Sequence, residues 1–151
     1  MTKGKLITLL SACRNGDNDK ALEILKSGNF DLRKTNKSKK DGNTALIWAC
    51  KNKMNEAALY ILKHHPHECI LKKTNKKGNT ALILVIFFKM EKVSLEMLKY
   101  PNQCNLNHVN KYGNTALMLA IKKKMEKVSL EILKYPNQCN LSQANKNGNT
   151  A

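Results

Sequence analysis

The sequence predicts an all-α solenoid of short helix-turn-helix units, stacked side by side and joined by short hairpin loops. Three observations lead there. The tetrapeptide Gly-Asn-Thr-Ala begins at Gly42, Gly78, Gly113 and Gly148, so the chain repeats at intervals of 36, 35 and 35 residues. Residues 78–112 laid over 113–147 leave nine differences in 35 positions, the mark of tandem duplication. Hydrophobic residues make up 42% of the 151 residues but aromatics only 5%, which suits thin aliphatic helical layers better than one deep globular core.

The elements of one unit follow in order. Asn-x-x-Gly, at Asn75 to Gly78, Asn110 to Gly113 and Asn145 to Gly148, is a turn signal in which Gly is free to take positive φ. Thr44, Thr80 and Thr115 follow two residues after the Gly, just before apolar runs, where a hydroxyl can accept from unpaired helix N–H groups. A short first helix runs through Leu46-Ile47-Trp48-Ala49-Cys50 and its counterparts, with Trp48 expected in the core. Lys53-Met54, Lys89-Met90 and Lys124-Met125 lead into a second helix, such as Val128-Ser129-Leu130-Glu131-Ile132-Leu133-Lys134. Pro66, Pro101 and Pro136 come next, where that helix cannot continue. A short extended piece such as Cys139-Asn140-Leu141 then returns the chain to the following turn. Neither helix of so short a unit can bury its apolar face alone, so neighbours must stack.

The run Asp41-Gly42-Asn43-Thr44-Ala45-Leu46-Ile47-Trp48-Ala49-Cys50 resembles the opening of the ankyrin repeat, commonly written D-x-x-G-x-T-P-L-H-x-A-A. So do Gly78-Asn79-Thr80-Ala81-Leu82 and Gly113-Asn114-Thr115-Ala116-Leu117-Met118-Leu119-Ala120, and Leu71, Leu106 and Leu141 match the hydrophobic residue of its closing segment. The resemblance covers nearly the whole chain, in register. There are departures. Ala45, Ala81 and Ala116 replace the family's Pro, and Ile47, Ile83 and Met118 its His. The Gly between the helices survives as Gly16 and is otherwise Lys53, Lys89 or Lys124. The Gly-Asn-Thr-Ala-Leu wording and Lys/Asn richness further resemble the paralogous ankyrin arrays of amoeba-infecting giant viruses.

The expected organisation is a single array over 1–151. Residues 1–41 form a cap-like first unit with an inserted Lys37-Ser38-Lys39-Lys40-Asp41 and hence a longer, looser first hairpin. Full repeats follow at 42–77, 78–112 and 113–147, and 148–151 begin a further, truncated one. No stretch approaches the ~20 apolar residues of a membrane span, the longest being Ala81 to Phe88. The five cysteines are an odd number without a C-x-x-C pair, so reduced thiols in a cytoplasmic compartment are expected, the host cytoplasm if the protein is viral.

No catalytic constellation is present, and no enzyme is expected. Glu91, Glu96, Glu126 and Glu131 recur at identical positions of duplicated helices, whereas an acid and base pair needs two different environments. The cluster His64-His65-Pro66-His67-Glu68-Cys69 has metal-ligating residue types, but it sits in one loop with no second cluster to complete a site, so no metal or cofactor is expected.

The ankyrin resemblance implies a non-catalytic scaffold that binds a protein partner through its concave face, formed by the hairpin tips and the exposed ends of the first helices. By position, the tips supply Lys40, Asp41, Lys76, Lys77, Lys111 and Tyr112. The helix ends supply Lys51, Asn52, Phe87, Phe88, Lys122 and Lys123. Phe87-Phe88 in one repeat faces Lys122-Lys123 in its near-copy, and a core position rarely tolerates that exchange, so at least one of the pair should face solvent. The formal net charge of +16 points to an acidic partner surface, and a monomer is expected. The alternative is polyanion or nucleic-acid binding through the same lysines. By unit the charge is +5 for 1–41, +5 for 42–77, +2 for 78–112 and +4 for 113–147, and 25 of the 27 basic residues are Lys. So distributed and Arg-poor a field favours non-specific association over base readout.

Overall fold

A computed structural model of the chain describes residues 2–28, 31–33, 35 and 41–151, with no side-chain description before Leu9. The insertion at Lys37–Lys40, with its expected loose hairpin, lies outside the described residues. Helices α1 (Thr2–Asn15), α2 (Asn18–Ser27), α3 (Ala45–Lys51), α4 (Asn55–His64), α5 (Ala81–Phe87), α6 (Glu91–Met97), α7 (Pro101–Cys104), α8 (Ala116–Lys122) and α9 (Glu126–Leu133) follow one another, with a 3₁₀ turn at Pro136–Gln138. Among the described residues there is no strand, only an isolated antiparallel bridge between Thr74 and Thr80.

The helices form two layers. The inner layer runs α1, α3, α5, α8 and the outer α2, α4, α6, α9, each helix packing on its neighbour in the layer and on its hairpin partner. One continuous core results, from Leu9 to Ile132. Its largest fully buried side chains, among them Leu46, Ile61, Ile86, Met97 and Ile132, are all aliphatic or Met, which accounts for the low aromatic content.

Each inner helix of the three repeats begins as the threonines predict. Thr44 Oγ1 accepts from the Ile47 N–H at 3.2 Å, and Thr80 and Thr115 do the same for Ile83 and Met118 at 3.3 Å. Such a cap contributes about 1 kcal/mol. The same helices end alike. The Met54 N–H reaches the Ala49 carbonyl at 2.8 Å and the Lys53 N–H reaches Cys50 at 3.2 Å. Met90 and Lys89 repeat the pattern onto Val85 and Ile86, and Met125 and Lys124 onto Ala120 and Ile121. This is a Schellman cap, whose penultimate residue must take left-handed backbone. Lys53, Lys89 and Lys124 therefore sit at φ 56°, 57° and 57°, where the first unit has Gly16 at 76°. The buried Met after each lysine supplies the hydrophobic plug of the motif.

The prolines after the outer helix do more than end it: Pro101 opens the one-turn α7 and Pro136 a 3₁₀ turn, after which Cys139 is extended as expected while Asn105, following α7, is left-handed. Proline at the first helical position has its φ already set and lacks an N–H that would have no partner there.

The hairpins are laced together by asparagine. Asn110 Oδ1 accepts from the backbone of Tyr112 and Asn114, both at 3.0 Å, while its Nδ2 donates to Asn79 Oδ1 of the preceding hairpin at 2.9 Å. Asn145 repeats this one unit on, onto Asn114 at 3.0 Å. Gly113 is required there twice over: its φ is 81°, and a Cβ would stand 2.8 Å from Asn145 Cα.

Candidate functional site

Stacking the inner helices in register brings four hairpins and three helix ends around one groove of about 800 Å³. Asp41, Lys76, Lys77 and Tyr112 reach it from the hairpins; Lys51, Phe87, Phe88, Lys122 and Lys123 reach it from the C-terminal ends of α3, α5 and α8. Ile83, Leu84 and Leu119 supply apolar surface between them, and Lys146 adds a further cation. Nine of the twelve residues expected on the concave face thus meet in one place.

Three do not. Lys40 lies outside the described residues. Lys111 is exposed on its hairpin, away from the groove. Asn52 is engaged elsewhere: its side-chain amide donates to the carbonyls of Cys13 at 2.7 Å and Arg14 at 2.9 Å, closing the end of α1. The Cys13 carbonyl also accepts from the Gly16 N–H at 3.3 Å, and Asn52, reaching both carbonyls at the end of α1, is better understood as a clamp between the first two units.

The Phe-to-Lys exchange falls on surface, as its chemistry requires. Phe87 is 49% exposed; Phe88 is half-buried against the core, and the two rings meet edge-on at 5.1 Å between centroids. Lys123 of the next repeat holds its ammonium 4.4 Å from the Phe87 ring, and Lys53 of the preceding repeat lies 5.4 Å from Phe88. Each is within cation–π reach, worth about 0.5–1 kcal/mol at an exposed site. The αL lysine at position 53, unremarkable in the sequence, is thus turned toward the aromatic wall. Trp48 is not the core residue expected. It is half-buried, packed against the core on one side and with the Lys51 ammonium 4.6 Å from its ring centroid on the other.

The other polar clusters are dispersed among structural contacts. His64 stacks on Tyr60 at 4.3 Å, His65 Nδ1 lies 3.0 Å from Glu68 Oε1, and His67 meets the edge of Tyr100. Among the described residues no three His, Cys, Asp or Glu side chains are grouped to hold a metal ion. Glu96 and Glu131 pair with Lys99 and Lys134 one turn on, at 2.8 and 2.6 Å, and these hydrogen bonds hold both ammonium groups above their ordinary pKa. Cys104 Sγ lies 3.1 Å from the Met97 carbonyl, and burial pushes its thiol up to about 12. Burial likewise raises Cys13 to about 12 and Cys69 to about 11. Buried neutral thiols of this kind are poor nucleophiles.

The asparagine ladder lies along the hairpin side of the groove; the sequence marked Asn75, Asn110 and Asn145 as turn residues, but not the bonds that Asn110 and Asn145 make to the Asn after the preceding Gly. Among the described residues no helix is long and apolar enough to cross a membrane.

No curated protein matches the chain. A family model of ankyrin repeats, in three copies, matches residues 9–100, well over half of the molecule. With this match and its two layers of stacked, paired helices, the chain belongs to the ankyrin-repeat family.

Proposed function

We propose that the protein is a non-catalytic scaffold that recognises a protein partner with an acidic surface through the groove on its concave face. Ankyrin repeats generally mediate protein–protein interaction. The observation that carries the reading here is the exposure of Phe87 and Tyr112, at 49% and 52%, inside a lysine-lined groove. Large aromatic rings held half in water on a rigid scaffold gain most from being covered, and surrounding lysines steer an acidic partner toward them. The units at 42–77, 78–112 and 113–147 supply the recognition surface, and 1–41 caps it. The protein acts as a cytoplasmic monomer. On the giant-virus resemblance the partner is a host factor met in the host cytoplasm.

The test replaces both exposed rings, Phe87→Ala with Tyr112→Ala, leaving half-buried Phe88 in place. Partner capture should weaken at least about tenfold while retention on heparin or DNA stays unchanged. Unimpaired partner capture by this double variant would sink the aromatic-anchor reading. Binding confined to heparin and DNA, steeply salt-dependent and indifferent to both rings, would favour the polyanion alternative.

A further inference from the structure

Charge is not spread evenly along the groove. The repeat at 42–77 contributes Lys51, Lys76 and Lys77, and the repeat at 113–147 contributes Lys122, Lys123 and Lys146. Between them, the repeat at 78–112 contributes no charged side chain, only polar and apolar ones including Phe87, Phe88 and Tyr112. Asp41 of the first unit is the one carboxylate in the lining among the described residues and lies beside Lys76, so the groove reads as a net cationic end, aromatics, then cations. Among the helix ends, Lys51 stands on α3 and Lys122 and Lys123 on α8, with α5 and its two phenylalanines packed between. Among the hairpins, Lys76 and Lys77 stand on the one leading into α5 and Lys146 two hairpins further on, with the Tyr112 hairpin stacked between them. Neighbouring packed helices lie about 8–10 Å apart, so the groups are separated by roughly 16–20 Å. An extended peptide rises about 3.3 Å per residue and covers that distance in five or six steps.

At one end of the groove the asparagine ladder lacks a rung. Asn79 and Asn114 each accept a hydrogen bond from the next hairpin's asparagine, whereas Asn43, at the equivalent position, does not. Asn43 is 4% exposed and lines the groove, and its Oδ1 accepts from no described residue.

Taking the groove as the partner site just proposed, we infer that its ligand is an extended acidic segment of a protein, with one apolar or aromatic residue centred between two acidic groups about six residues apart. The central side chain covers Phe87 and Tyr112, and the flanking carboxylates meet the two lysine groups.

Two labelled peptides of identical composition test this by fluorescence anisotropy at 150 mM salt. One is Glu-Glu-Gly-Phe-Gly-Glu-Glu; the other, Gly-Phe-Gly-Glu-Glu-Glu-Glu, gathers the same charges at one end. The first should bind about tenfold more tightly. Phe87→Lys should abolish that advantage although it adds a positive charge, and Lys122 at the equivalent position shows that the fold accommodates lysine there. Lys122→Glu with Lys123→Glu should weaken the first peptide at least about tenfold.

Equal affinity for the two peptides, both weakened by Phe87→Lys, overturns the ordered pattern but leaves the groove as a protein-binding site. Equal affinity that Phe87→Lys leaves unchanged or strengthens overturns both readings. Failure of either peptide to bind overturns the segment proposed here. So does tighter binding of a heptathymidylate that ignores Phe87→Lys, which assigns the groove to polyanions instead.

Discussion

Residues 99–106 and 134–141 carry the same eight-residue sequence, Lys-Tyr-Pro-Asn-Gln-Cys-Asn-Leu, in consecutive repeats, yet they differ in structure. In the first, Pro101–Cys104 forms an α-turn, Asn105 takes φ 52°, and Leu106 is 2% exposed. In the second, Pro136–Gln138 forms a 3₁₀ turn, Cys139 is extended, and Leu141 is 47% exposed. The difference follows stacking. The repeat at 78–112 is covered by the next one through α5 on α8 and α6 on α9, while the far face of the repeat at 113–147 meets solvent. Identical local propensities thus give different turns once one apolar face is covered and the other is not. In a repeat protein the interface to the neighbour contributes stability that a unit lacks by itself.

The largest test of that comparison is a matched pair of core deletions. Leu98 and Leu133 occupy the same position, 1% and 42% exposed. Leu98→Ala should cost about 2–5 kcal/mol in urea unfolding, because it leaves a cavity between packed layers. Leu133→Ala should cost less than about 1 kcal/mol, since its side chain already meets water. Equal losses would break the argument from stacking.

A chemical probe sharpens it. Cys104 is buried and Cys139 partly exposed, although both thiols lie near the carbonyl seven residues upstream. Iodoacetamide should modify Cys139 on the order of a hundredfold faster than Cys104, read by peptide mass spectrometry, because Cys104 reacts only after local opening. In strong denaturant the two rates should converge.

The smallest effect concerns what the two repeats share. Lys89 and Lys124 hold the same left-handed φ of 57° in the same Schellman cap. Replacing either by Gly relieves about 1–2 kcal/mol of backbone strain. It also adds about 0.4–1 kcal/mol of unfolded-chain freedom to be lost on folding. A net gain of roughly 0.5–1 kcal/mol is expected from each in urea unfolding. A much larger gain at one position than at the other would show that the inner-helix caps, too, depend on stacking.

The comparison also marks how far the sequence could be read. The period, the threonine caps, the turn glycines and the Lys-Met junction are local signals repeated in register, and each recurs in the structure where it was expected. Solvent exposure at the Phe-to-Lys exchange was legible as well, because a core excludes lysine. Asn52 could not be assigned in this way: its amide serves carbonyls of α1, 38 and 39 residues away in the chain. Trp48 was only partly legible: its ring packs against the core but stays half-buried, with Lys51 over it.

By itself, then, the sequence determined the unit and its period, through periodic apolar positions and turn chemistry that act over a few residues. Only the tertiary structure decided which side chains meet. Register between stacked helices placed Phe87 and Phe88 between two groups of lysines, aligned the asparagines into a ladder, and left Asn43 Oδ1 without a donor among the described residues. Those arrangements depend on distances between repeats, set by packing across some 35 residues of intervening chain.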